Sequence, residues 1–261
     1  MRAALVFCLL FALKVFSRTF YRFDIGWVGV KPEKPWGRYR IIAILNHTSL
    51  FEFLWAGSPP ASFLWQIARH GVVPVAEITL DRPMTGRFFR FVAQQVVSVS
   101  RERDHTWAEV MKKVHDPEAL VIIAPEGRMM RRNGLDKHGK PMTVRGGIAD
   151  ILQDIPEGRM LLAYSGGLHH IQAPGERFPR LFKRLWIRFE CVDVAAYRRE
   201  MMAHGGEKGF RRAVVRDLEQ RRDRHCWPDP ATRPGPPRAE EAGGEPGRRG
   251  AERQETASLP N

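Results

Sequence analysis

Arg40-Ile41-Ile42-Ala43-Ile44-Leu45 runs straight into Asn46-His47-Thr48-Ser49-Leu50-Phe51-Glu52. The first six residues are a short, almost unbroken apolar run, consistent with a strand buried on both faces. Polar residues then intervene, and Thr48 to Ala56 reads as a helix start. A buried strand handing over to a helix is the building unit of an α/β protein. The pattern recurs downstream. Ala119 to Ala124 (ALVIIA) and Met160 to Ser165 (MLLAYS) are strong buried strands, and Gln95 to Ser100 (QVVSVS) is a further candidate. Glu102 to His115 sets Trp107, Val110, Met111 and Val114 at helical spacing and stops at Asp116-Pro117. Arg184 to Val192 alternates, with Leu185, Ile187, Phe189 and Cys191 on one side, as a half-exposed strand does. Glu207 to Arg222 is a basic helix with Phe210, Val214 and Leu218 inward. The expected fold class is α/β, a mostly parallel central sheet flanked by helices, with no internal repeat.

The chain has 261 residues and 29.9 kDa, enough for one large domain or two small ones. Hydrophobic residues make up 43 % and mean hydropathy is −0.35, which excludes a protein with many membrane spans. The formal charge is +13. It is unevenly placed: the last 34 residues hold five Arg against six acids, so the preceding 227 carry +14. A positive field on the folded part points to an anionic partner. Those last residues also contain seven Pro and five Gly with few large apolar side chains, and the expectation is a disordered tail. Cys8, Cys191 and Cys226 are odd in number and outside any C-x-x-C or Cys/His metal spacing, so neither a disulfide framework nor a metal site is expected.

Ala3 to Leu13 (AALVFCLLFAL) is an unbroken apolar run, followed by Lys14, Arg18 and Arg22. It is shorter than the roughly 20 residues of a spanning helix, and no A-x-A cleavage pattern follows. The reading is a helix lying at a membrane surface, its bases near lipid phosphates. The bland alternative is an ordinary packed helix. The expected organisation is therefore a membrane-associated helix over 1–23, a catalytic domain over 24–226 and a tail over 227–261.

His47 and Glu52 stand at the carboxyl end of the first core strand, where open α/β sheets bind ligands. A carboxylate accepting from one ring N–H fixes the imidazole tautomer and stabilises the imidazolium, so the other nitrogen can act as a base. The competing reading makes Ser49-x-x-Glu52 a capping box that merely starts a helix. No G-x-S-x-G is present, so the base would act on a substrate hydroxyl directly. After the strand 119–124 comes Pro125-Glu126-Gly127-Arg128, with Arg131 and Arg132 behind it. Guanidinium groups at a strand end suit a phosphate, and a solvated basic loop is the alternative. Arg145 precedes Gly146-Gly147, a turn able to open a helix. His169-His170 are neighbours that point apart on an extended chain, a poor metal site.

The ordered series N-H-T-S-L-F-E, the block Val73 to Arg101 with Gly86-Arg87-Phe88-Phe89, and P-E-G-R resembles the glycerolipid acyltransferases, which include the enzymes that acylate lysophosphatidic acid. The family pattern is H-x-x-x-x-D, an Arg-ended block, E-G-T-R-S after a strand, and a final strand block. The resemblance covers roughly residues 24–192. It implies transfer of a fatty acyl group from acyl-CoA or acyl-carrier protein to a lysophospholipid hydroxyl. His47 would be the base and Glu52 its partner. Glu126, Gly127 and Arg128, with Arg131 and Arg145, would hold the acceptor's phosphate. It further implies no bound cofactor or metal, an anionic membrane lipid as partner, and a peripheral or monotopic place on the cytoplasmic face of a membrane. Glu52 stands where the family has Asp, Arg128 where it has Thr, and the block Leu162 to Gly167 lacks the family's proline. Two other readings compete: a basic nucleic-acid binder, which lacks zinc-finger, helix-turn-helix or RNA-binding signatures so that no nucleic acid is expected, and a catalytically inactive membrane scaffold of the same fold.

Overall fold

Ile41–Leu45 lies at the middle of the sheet, and its alternation explains the layers. Ile41, Ala43 and Leu45 face one hydrophobic cluster, and Ile42 and Ile44 face another. The computed structural model describes residues 2–76, 95–99, 105–173, 176 and 178–226. In chain order these form α1 (Arg2–Phe20), β1 (Arg22–Trp27), β2 (Ile41–Leu45), a 3-10 helix (Leu50–Gly57), α2 (Ala61–His70), β3 (Gly71–Ala76), β4 (Gln95–Val99), α3 (His105–Val114), β5 (Leu120–Ile123), α4 (Gly147–Asp154), β6 (Arg159–Ser165), β7 (Arg184–Asp193) and α5 (Val194–His225). The strands make a seven-stranded sheet in the order β1-β7-β6-β2-β5-β3-β4. Neighbours are parallel except β6 and β7, which are antiparallel. The α/β class and the largely parallel sheet are as expected.

One face is covered by α3, α4 and α5 through Val110, Val114, Ile148, Ile151, Phe210, Val214 and Leu218. The other carries the 3-10 helix and α2 through Leu54, Trp55 and Phe63. The expected strands recur within a residue of their predicted ends. β1, α2 and β3 were not anticipated. Gly71 ends α2 and β3 begins at that same residue, so no turn marks the boundary. The predicted basic helix starts earlier, at Val194, capped by the Asp193 carboxylate accepting from Ala196 N–H. Gly206 kinks it at φ 61°, a conformation open to glycine. The expected tail and the block Gly86 to Phe89 with Arg101 lie outside the described residues.

The amino-terminal helix departs from expectation. The apolar run extends past Lys14 into a 19-residue helix, long and apolar enough by composition to cross a membrane. Val6 and Leu10 pack on Leu64 and Ala68 of α2. Lys14 and Arg18, expected beside lipid phosphates, bond backbone carbonyls of the protein itself, Lys14 from a half-buried position and Arg18 from an exposed one. Lys14 Nζ donates to Pro59 O at 2.6 Å and Arg18 Nε to Gly57 O at 2.8 Å. The Gly57 carbonyl that ends the 3-10 helix accepts from both cations, and Pro59 O just beyond it accepts from Lys14, so they serve backbone groups at the helix end. Gly57 lets α1 approach: a Cβ there would collide with Phe23 and touch Ser17.

Candidate active site

The chain leaves β2 through Asn46, which takes φ 66°, a left-handed conformation that Asn tolerates better than most residues. Asn46 Nδ2 donates to Ser165 O at the end of β6. This bend aims the next two backbone N–H groups at one carboxylate. Asn46 N donates to Glu126 Oε1 at 3.0 Å and His47 N to Glu126 Oε2 at 2.7 Å. Glu126 is 2 % exposed and arrives on a tight turn closed by Gly127 N–H to Ala124 O. Gly127 has φ 63°, which explains the glycine. Burial pushes the Glu126 carboxyl above its ordinary value, against the N–H bonds from His47 and Asn46. Arg222 of α5 lies 3.5 Å away and offsets its charge.

His47 Nδ1–H donates to Glu52 Oε2 at 2.6 Å. The other oxygen, Oε1, accepts from Thr48 N–H at 3.0 Å. The competing capping box at Ser49-x-x-Glu52 is not formed: Glu52 accepts from Thr48 N–H rather than Ser49 N–H, and its other oxygen holds His47. Ser49 caps the 3-10 helix by accepting from Phe51 N–H, and its hydroxyl donates to Gln172 Oε1 at 2.6 Å. The helix is 3-10 rather than α, with the Glu52 side chain drawn back toward the preceding loop. Burial lowers the His47 pKa, but the Glu52 charge and hydrogen bond, with the Glu126 charge, outweigh it and raise the imidazole above 6.5. With Nδ1 committed to Glu52, Nε2 is the nitrogen left to take a proton.

An apolar cavity of about 330 Å³ begins at this pair. His47, Glu52 and Gly127 line one part of it. Ile42, Ile44, Leu161, Ala163, Ile187 and Phe189 of the sheet form its floor, with Leu10, Phe53, Phe63 and Leu64 opposite. The arrangement couples a carboxylate-bound imidazole to space for a long apolar chain.

The fold has a solved counterpart. The chain is similar to the crystal structure of the 1-acyl-sn-glycerophosphate (LPA) acyltransferase PlsC from Thermotoga maritima, with a TM-score of 0.50 and 17 % identity over 84 % of this chain and 80 % of that one. No known family profile and no curated protein sequence matches the chain. The likeness is one of fold.

The other expected site residues are divided by the geometry. His47, Glu52, Glu126 and Gly127 come together. Glu126, expected at a phosphate, is instead turned inward to hold the His47 backbone, because its two oxygens meet two N–H groups that have left the β2 ladder. Arg128, also expected at a phosphate, is ion-paired through Nη1 with Asp136, which is buried and accepts from His138 and Lys140 N–H. The Lys140 N–H bond, and after it Arg128, hold the Asp136 carboxyl well below its usual range. Arg131 and Arg145 remain exposed. Arg145 lies against the Gly127 turn, 3.7 Å from where a Cβ would stand, and donates its N–H to Pro125 O. Arg131 follows Met130, whose N–H donates to His47 O. His169 is buried and bonds Met130 O through Nε2, so it braces the site. Sequence reasoning missed Asn46, Thr48 and Arg222. Thr48 Oγ1 accepts from Leu168 N–H. Asn before a strand-end His was a readable signal for a left-handed bend; Arg222 lies 96 residues from Glu126 and gave none.

Proposed function

We propose that this protein transfers a fatty acyl group from a thioester, acyl-CoA or acyl-carrier protein, to the hydroxyl of a lysophospholipid such as lysophosphatidic acid, at the cytoplasmic face of a membrane. The observation that carries the reading is the Glu52–His47 pair opening onto an apolar cavity of about 330 Å³. The acyl chain occupies the cavity. Each buried methylene contributes about 0.8 kcal/mol, which holds the thioester carbonyl near the imidazole. His47 Nε2 takes the proton of the acceptor hydroxyl as its oxygen attacks that carbonyl. Glu52 holds the resulting imidazolium in place. The tetrahedral intermediate collapses with loss of the thiolate, which takes the proton back from Nε2, leaving an ester, a thiol and neutral histidine. A positioned base of this kind is worth about 10²–10⁴ in rate. Arg145 and Arg131, exposed beside the turn and the loop that hold His47, bind the acceptor's phosphate.

The test is labelled acyl-CoA and acyl-carrier protein with a panel of acceptor lipids and the full-length chain. Ester formation by wild type and its loss in His47→Ala are expected. Wild-type rates in His47→Ala overturn the mechanism. Vesicle binding with no thioester consumed for any acceptor supports the inactive scaffold instead.

A further inference from the structure

The loop Phe178-Pro179-Arg180-Leu181-Phe182-Lys183 holds its large apolar side chains outward. Phe178 is 81 % exposed and Phe182 is 73 % exposed. Phe182 adopts φ 59°, a conformation that a bulky residue rarely takes. The bend is held from below: Phe182 N–H donates to Phe20 O at 2.8 Å, and Lys183 O accepts from Arg22 N–H at 3.1 Å. The Phe182 ring meets the Phe20 ring edge-on at 5.7 Å, and Phe20 meets Phe16 at 4.8 Å. Phe16, Val15, Phe11 and Leu5 continue the exposed apolar surface along α1. An apolar band of this extent on a soluble face marks an interaction surface.

Its position in the fold decides what it serves. β1 and β7 start together at Arg22 and Arg184. Because β7 runs antiparallel to β6, their starts lie at the edge where β6 and β2 end, beside Asn46 and His47. The aromatic loop and the end of α1 thus stand on the catalytic edge of the sheet. Exposed Lys183 follows the apolar tip, while Arg180 and Arg184 are paired with Glu176 and Asp24. Aromatic rings beside an exposed ammonium suit the boundary between acyl chains and anionic head groups.

We propose that residues 178–183 are a second membrane-inserting element, which with α1 seats the catalytic edge on a lipid bilayer. An acceptor lipid then reaches His47 without leaving the bilayer, a consequence that rests on the function proposed above. Insertion itself does not.

The experiment pairs Phe178→Ser with Phe182→Asn, the latter chosen because Asn tolerates the left-handed backbone. Full-length chains are sedimented with sucrose-loaded vesicles of phosphatidylcholine alone or mixed with phosphatidylglycerol. The double variant should partition about tenfold less, or weaker still, into both. Phe182→Trp alone should keep binding. Acyl transfer to a water-soluble short-chain acceptor should be unchanged, and transfer to a vesicle-borne long-chain acceptor should fall with partition. Equal partition of wild type and double variant, or no vesicle binding by wild type, overturns the proposal. So does a wild-type dimer that the substitutions convert to monomer without affecting partition, since a second copy would then cover the band. Absence of acyl transfer in every assay, with the partition difference intact, sinks the enzymatic reading alone.

Discussion

At the scale of residues, two carboxylates set the properties of His47. Glu52 and Glu126 raise its pKa against burial. The proposed reaction needs the neutral imidazole, so kcat/KM should rise with pH along an acidic limb whose pKa lies above 6.5. Glu52→Gln removes the charge that outweighs burial, and the limb should move down; a pH profile of both proteins checks this, with an unmoved limb as the contrary result. Stability runs the other way. A histidine whose folded pKa is raised adds stability fully below its unfolded value, and loses it as pH climbs through the folded pKa. Under the proposed mechanism, activity should be highest where His47 supports the fold least. Glu126 acts one step back. Glu126→Gln sets an NH2 donor against one of the two backbone N–H groups and leaves it without an acceptor, at a cost of about 1–3 kcal/mol. Both the denaturation midpoint and kcat should fall, with little change in KM, because the backbone that positions His47, and not the substrate, has lost a partner.

At the scale of elements, the hairpin after Glu126 shows how an Arg can be diverted. Leu135 and Pro141 close it as an isolated bridge. Asp136 is its internal knot, taking backbone N–H groups and Arg128 together. Asp136→Ala should therefore cost more than Arg128→Ala, since it also strands two backbone N–H groups, and the double variant should be little worse than Asp136→Ala alone, a clear departure from additivity. Acceptor KM should respond more to Arg145→Ala than to Arg128→Ala, and steady-state kinetics with a phosphorylated acceptor would show the reverse if Arg128 were the phosphate ligand. Asp136 contributes stability above its unfolded pKa, and that contribution is lost as pH falls through its lowered folded pKa.

At the scale of the whole molecule, α1 is a wall of the cavity as well as an outer surface. Leu10 lines the cavity while Leu5, Val15 and Phe16 face outward. Leu10→Trp fills part of the space and should shift preference toward shorter acyl chains, read as relative kcat/KM across a thioester length series; an unchanged profile would place the chain elsewhere. Gly57→Val should loosen α1, since the added methyls meet Phe23 and Ser17. Overpacking of this kind costs about 1–3 kcal/mol, measurable by urea denaturation.

The sequence alone determined the α/β class, because buried parallel strands write themselves as apolar runs such as Ile41 to Leu45 and Leu120 to Ile123. It also marked His47, Glu52 and Gly127, whose chemistry is local: a pair five residues apart and a turn that needs glycine. It could not assign Glu126, Arg128, Lys14 or Arg18, since a charged residue reads the same in solvent, at a phosphate or against a buried partner. Those tasks depend on contacts between residues far apart in the chain, Glu126 with Asn46 and Arg18 with Gly57. The cavity is of the same kind. Its walls come from α1, α2, the 3-10 helix and several strands, and the space between them exists only once the layers have packed.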